Sequence, residues 1–191
     1  MNVAAFLSYV IITSITPGPS NLLMMNEARH FGFVGAWKFN GGILTGFAFL
    51  GLLSAGFTAG LDQLLPMLEP YLQLAGVAYL LYLAWKIGFP KPTSGKTIDA
   101  QATFLSGFVF QMINVKSILF FLTVLSTFIL PHSGSAVQTM VYLGYTILLG
   151  WAALLLWSAF GSLFSRFFTR YDRLFRFTMS ALLVYSAVTI F

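Results

Sequence analysis

Long apolar stretches alternate with short polar connections along the whole chain. They run near 3 to 25, 38 to 60, 67 to 88, 103 to 130, 138 to 161 and 173 to 191. A helix needs about 20 mainly apolar residues to cross the hydrocarbon of a bilayer, so the pattern predicts six spans and leaves no room for an extramembrane domain. The expected fold is an all-α integral membrane protein, with residues 1 to 191 forming one transmembrane domain.

Composition agrees with lipid as the solvent. The 191 residues are 58% apolar and carry 15 charged side chains, where an average soluble protein of that length carries about 48. One water-facing surface cannot hide that much apolar area. Cysteine is absent, which excludes disulfides, thiolate zinc sites and iron–sulfur clusters. The first basic residue is Arg29, and the apolar run before it is too long for a cleavable signal peptide.

The basic residues orient the spans. The first connection holds Arg29 and Lys38, the third Lys86, Lys91 and Lys96, and the fifth Arg166, Arg170, Arg173 and Arg176, while the second and fourth hold none. Cytoplasmic loops carry the excess of Lys and Arg, so the odd connections belong in the cytoplasm and both termini outside. Basic charge of this kind serves membrane orientation, and no nucleic-acid partner is expected. The longest polar stretch, about 89 to 102, reads as a cytoplasmic linker between half-repeats at about 1 to 88 and 103 to 191. The halves resemble each other in AFLSYVIITSITPGPSN from Ala5 over TFLSGFVFQMINVKSIL from Thr103, and in AYLLYLA from Ala78 over ALLVYSA from Ala181. Three spans per half make the repeats inverted, an arrangement found in many secondary transporters.

The sharpest local feature is Thr16-Pro17-Gly18-Pro19-Ser20-Asn21 inside the first run. The two prolines donate no N–H and push against the preceding turn, so the helix breaks there. A break in lipid leaves backbone groups that cost several kcal/mol each unless protein, water or a ligand satisfies them. Freed N–H groups at the restarting half-helix suit a carboxylate, and freed carbonyls suit an ammonium. In the second half, Asn114 and Lys116 stand in the middle of the fourth run. An ionised lysine at that depth needs a partner or a wet cavity; it either bonds freed carbonyls such as those of Thr13 and Ile15 or handles substrate or proton. Glu27, Arg29 and Lys38 are candidates for a cytoplasmic gate or coupling group. Glycines at Gly42 and Gly46, and at Gly56 and Gly60, have the spacing that lets helices approach closely. Tyr71, Trp85, Tyr142 and Trp157 read as interface or packing residues. His30 and His132 fall on opposite expected sides, so no metal site is expected.

A TPGPxN first span, a glycine-rich opening to the second and Asn-x-Lys in the fourth resemble the LysE/RhtB family of bacterial amino-acid exporters. Within it, INVKSILFF from Ile113, LSTFILP from Leu125, AYLLYLAWKI from Ala78 and LLVYSAV from Leu182 are most similar to the branch that exports cysteine and O-acetylserine. Most of the family has Asn-Pro-Lys where this chain has Val115 in the middle, so a proline break in the second half is not expected. The resemblance implies substrate-binding roles for Pro17, Gly18, Pro19, Asn21, Asn114 and Lys116. It also implies a multi-pass protein of the bacterial inner membrane, driven by the proton-motive force, that exports small neutral amino acids or related metabolites.

Two other classes compete with a secondary exporter working by alternating access. An intramembrane enzyme would need a nucleophile with a nearby base, paired carboxylates or a metal motif within the spans, and none stands there. A passive channel or scaffold would show rings of polar residues rather than one broken helix and one deep lysine. The expected partners are an amino-acid substrate, the lipid bilayer and a second copy in a homodimer; cysteine, O-acetylserine, homoserine and threonine remain open as substrates, and no cofactor is expected.

Overall fold

The computed structural model describes residues 2–89 and 102–188, so the expected linker lies almost wholly outside the described residues. Among those residues every regular element is helical. In chain order they are α1 (Val3–Ile15), α2 (Pro19–Gly35), α3 (Trp37–Gly88), α4 (Phe104–Met112), α5 (Val115–Thr123), α6 (Ala136–Leu163), α7 (Ser165–Arg170) and α8 (Asp172–Val188). After α5 the helix widens into a π turn over Val124–Ile129 and tightens into a 3-10 turn at Leu130–His132.

Three described stretches are long and apolar enough to cross a bilayer: Trp37–Gly56, Val115–His132 and Ala136–Leu163. With α1 and α2, bent by 47° at their junction, taken as one broken span, there are four. The sides of the helices that face away from the bundle carry Ile12, Leu52, Leu105, Val137, Leu156 and Phe177, all exposed. That surface suits hydrocarbon as its solvent.

Two boundaries differ from the sequence expectation. The first run continues as α2 to Gly35, the connection narrows to Ala36, and α2 is kinked at Gly32, whose φ of 76° is one that residues with a Cβ rarely adopt. A polar connection between 60 and 67 is also expected, yet α3 is one helix of 52 residues. The stretch contains Gly60 and Pro66 but no Pro-Gly pair, its Leu and Gln are good helix formers, and isolated Gly and Pro are tolerated in membrane helices.

This helix is not a straight rod. From Trp37 to Ala84 a straight helix would measure about 70 Å. Arg29, close before Trp37 in sequence, pairs with Asp172, and Ser180 on the same α8 donates to the Ala84 carbonyl at 2.9 Å. Those links limit the separation to roughly 50 Å at helical rise plus side-chain reach, so α3 bends along its length.

Helix contacts follow a matched pattern. α6 packs along both α1 and α2, and α3 packs along both α4 and α5, while α3 also lies on α8. Glycine makes these approaches close. A Cβ on Gly42 would fall on the Phe104 carbonyl, one on Gly107 on the Phe39 carbonyl and one on Gly161 on the Met25 carbonyl. A Cβ on Gly46 would lie 2.8 Å from that of Gln111. Gly42 and Gly46 therefore serve helix packing, whereas Gly56 faces open space.

Gly42→Ala and Gly161→Ala should each force backbones apart and lower the melting temperature in detergent, at a cost of roughly 1 to 3 kcal/mol. Gly56→Ala should leave it unchanged or slightly raised, because nothing stands in the way and Ala favours helix by about 1 kcal/mol. Equal melting temperatures for all three variants would contradict the packing described.

Candidate functional site

The first break occupies Thr16 to Gly18. Helix α1 ends at Ile15 and α2 restarts at Pro19, the first helical position, where a missing N–H costs nothing. Gly18 is extended, so its backbone angles do not require glycine; space does. A Cβ there would lie 2.8 Å from Lys116 Cδ and 2.9 Å from Lys116 Nζ. The absence of a side chain lets the lysine reach the broken backbone.

Three carbonyls at this break are taken by side chains. Asn21 Nδ2 donates to the Ser14 carbonyl at 2.9 Å and the Thr16 carbonyl at 3.1 Å. Trp157 Nε1, from α6, donates to the Ile15 carbonyl at 3.0 Å. Lys116 Nζ donates to the Thr16 carbonyl at 2.8 Å, one residue beyond the acceptors expected from sequence.

A second break faces the first. Helix α4 ends at Met112 and α5 begins at Val115, with Asn114 extended at φ −76°, ψ 96°. No proline is needed. The Asn114 side chain is drawn across to the other half, where Nδ2 donates to Ser20 Oγ at 2.6 Å, while its carbonyl accepts from Ser117 N and Ile118 N. Fully buried Gln111 completes the junction: its Oε1 accepts from Ser20 Oγ at 2.5 Å and its Nε2 donates to Ser117 Oγ at 2.7 Å. Ser20 on α2, Gln111 on α4 and Asn114 and Ser117 at the head of α5 thus form one polar cluster.

Beside this cluster lies a cleft between the two breaks. Its polar side is formed by Thr13, Ser14, Ser20, Asn21, Asn114, Lys116 and Ser117, and its apolar side by Phe47, Phe120, Gly150 and Leu154, with Gly18 and Pro19 at the break itself. The lining contains one cation and no carboxylate. Two buried acceptors here, Asn114 Oδ1 and Ser14 Oγ, have no hydrogen-bond partner. The free volume is about 30 Å³, room for one or two water molecules and too little for an amino acid.

Of the residues singled out from sequence, Gly18, Pro19, Asn21, Asn114 and Lys116 line one cleft, and Pro17 lies in its broken backbone. The gate trio is not brought together. Arg29 is buried, pairs with Asp172 and lies over the Phe175 ring at 4.2 Å. Glu27 Oε1 accepts from the Ala102 N–H at 2.8 Å, and Lys38 sits exposed beside the Trp37 ring. Two positions along a helix are about 200° apart around its axis, so Glu27 and Arg29 turn to different neighbours, and α8 supplies the carboxylate for Arg29. Among the described residues no group of His, Asp and Glu could hold a metal ion.

Sequence reasoning missed Gln111 and Trp157. Gln111 is the one glutamine in the fourth apolar run, and the repeat alignment set it over Thr13; a buried amide in such a run was the available signal. Trp157 carries none, because an indole serves equally as a packing or interface residue.

Comparison with known proteins covers nearly the whole chain. The family model for LysE type translocators matches residues 11–191. The cysteine/O-acetylserine efflux protein of Escherichia coli strain K12 is 38% identical over 192 residues, covering 98% of this chain and 96% of that protein. The proteins of the same name from Shigella sonnei and Shigella flexneri match to the same extent. No solved structure matches the chain. The apolar helices, the broken first span and the match from residue 11 to the C-terminal residue together place the chain in the LysE type translocator family.

Proposed function

We propose that the protein is a secondary exporter of small neutral amino acids or related metabolites in a bacterial inner membrane, with cysteine and O-acetylserine as its substrates. The observation that carries the reading is the meeting of two helix breaks at one cleft that bears Lys116. The matched helix contacts support two inverted three-span halves, and the basic connections support termini outside the cytoplasm.

The cleft supplies what a zwitterion requires. Lys116 and the N–H groups at the start of α2 and α5 favour the carboxylate. Asn114 Oδ1 and Ser14 Oγ are free to accept from the ammonium. Because the lining has a cation and no carboxylate, a cationic side chain would meet repulsion with nothing to offset it. That favours cysteine and O-acetylserine, as in the named relatives, over lysine.

Loading requires the cleft to widen. A carboxylate makes a stronger hydrogen bond to Lys116 than the neutral Thr16 carbonyl does, so substrate can replace the backbone as the partner of the lysine. Release of Thr16 would loosen the two halves and allow access to alternate. Protons moving down their gradient are the proposed drive.

Purified protein in liposomes should show saturable cysteine counterflow that depends on an imposed pH gradient; linear flux blind to the gradient would replace the exporter with a channel. Lysine should fail to compete where O-acetylserine succeeds. Lys116→Met should still insert and fold but lose transport by roughly 10- to 150-fold, the value of a charge-assisted hydrogen bond of 1.5 to 3 kcal/mol, and normal rates would remove Lys116 from the site. Replacing Pro17 and Pro19 by Ala should mend the helix and abolish substrate affinity; unchanged affinity would reassign the motif to packing.

A further inference from the structure

We infer that Phe47, seated on Gly150, is the filter that restricts the cleft to narrow, unbranched side chains. The inference rests on the reading of the cleft as the substrate site, and deepens it by assigning specificity to two residues outside the broken-helix motifs. With the polar side engaged by the carboxylate and ammonium, the side chain of a bound amino acid is left to face Phe47, Phe120, Gly150 and Leu154.

Phe47 has nowhere to retreat. Its ring is buried, with ring centroids 4.6 Å from Phe121 and 5.8 Å from Phe120. On the α6 side it lies flush against the backbone, and a Cβ on Gly150 would come 2.6 Å from Phe47 Cζ. The hollow left by the glycine keeps the ring back, and the two phenylalanines of α5 stop it from swinging aside. Protein interiors of this density yield little to an added methylene. A CH2–SH or unbranched ester side chain needs only modest widening of the cleft. A branched or aromatic one needs the ring itself to move.

Alanine at position 150 should push the ring into the cleft, and removal of the ring should extend the cleft toward α6. The test is counterflow in liposomes with cysteine, O-acetylserine, leucine and phenylalanine for the wild type, Phe47→Ala, Phe47→Leu, Gly150→Ala and the double variant Phe47→Leu with Gly150→Ala. Discrimination among apolar side chains in a pocket is about 10- to 200-fold per methylene-sized change, so Phe47→Ala should raise leucine and phenylalanine transport relative to cysteine transport by about tenfold or more. Phe47→Leu should show a smaller gain in the same direction, and carries the test if the alanine variant does not fold. Gly150→Ala should reduce O-acetylserine transport more than cysteine transport, and the smaller side chain of the double variant should restore the ratio. Phe47 variants that move cysteine but gain neither larger substrate, or a Gly150→Ala ratio equal to that of the wild type, overturn the filter alone. A wild-type protein that moves no amino acid overturns the transport reading, and the filter with it.

Discussion

A backbone interrupted in lipid must find partners for its carbonyls and amides, and the rest of this structure is arranged around that need. Each unsatisfied group costs several kcal/mol in hydrocarbon. The Ser14, Ile15 and Thr16 carbonyls are met by Asn21 from the next helix, by Trp157 from α6 and by Lys116 from α5. Three different elements are thereby fixed to one point in the first span. The close contact at Gly161 sets α6 against α2, and those at Gly42 and Gly107 set α4 against α3.

The same solution leaves the junction poised between structure and chemistry. Lys116 satisfies a carbonyl and thereby ties the two halves, yet its bond is to a neutral group that an anion can displace. Ser20, Gln111, Asn114 and Ser117 hold the second break open without proline, through bonds that cross from one half to the other. A chain with Val115 in place of proline can therefore keep an interrupted helix at Asn114. The interruption depends on partners supplied by the first half rather than on a ring that forbids the helix.

The charged residues near the other end of α2 are organised by a different rule. Buried Arg29 is neutralised by Asp172 and covered by Phe175, while Asp172 also pairs with Arg176. An unpaired buried guanidinium would be far more costly than an exposed lysine, so the arginine recruits α8 and leaves Lys38 at the surface. Local sequence suggested a trio because the three charges are close along the chain. Helical rotation and burial assign them to separate surroundings.

Sequence by itself determined the solvent, the helical class and the first break, because hydropathy, helix length and proline chemistry are local properties. It also marked Asn114 and Lys116, since polar groups deep in an apolar run are conspicuous wherever they point. Gln111 and Trp157 gained their roles only from neighbours nearly 100 or more residues away, the break at Asn114 came from cross-half hydrogen bonds, and the size of the cleft came from Phe47 meeting Gly150. These features depend on which faces of distant helices touch, and only the packed structure decides that, because a hydrogen bond or a steric wall exists only when both partners arrive at the same place.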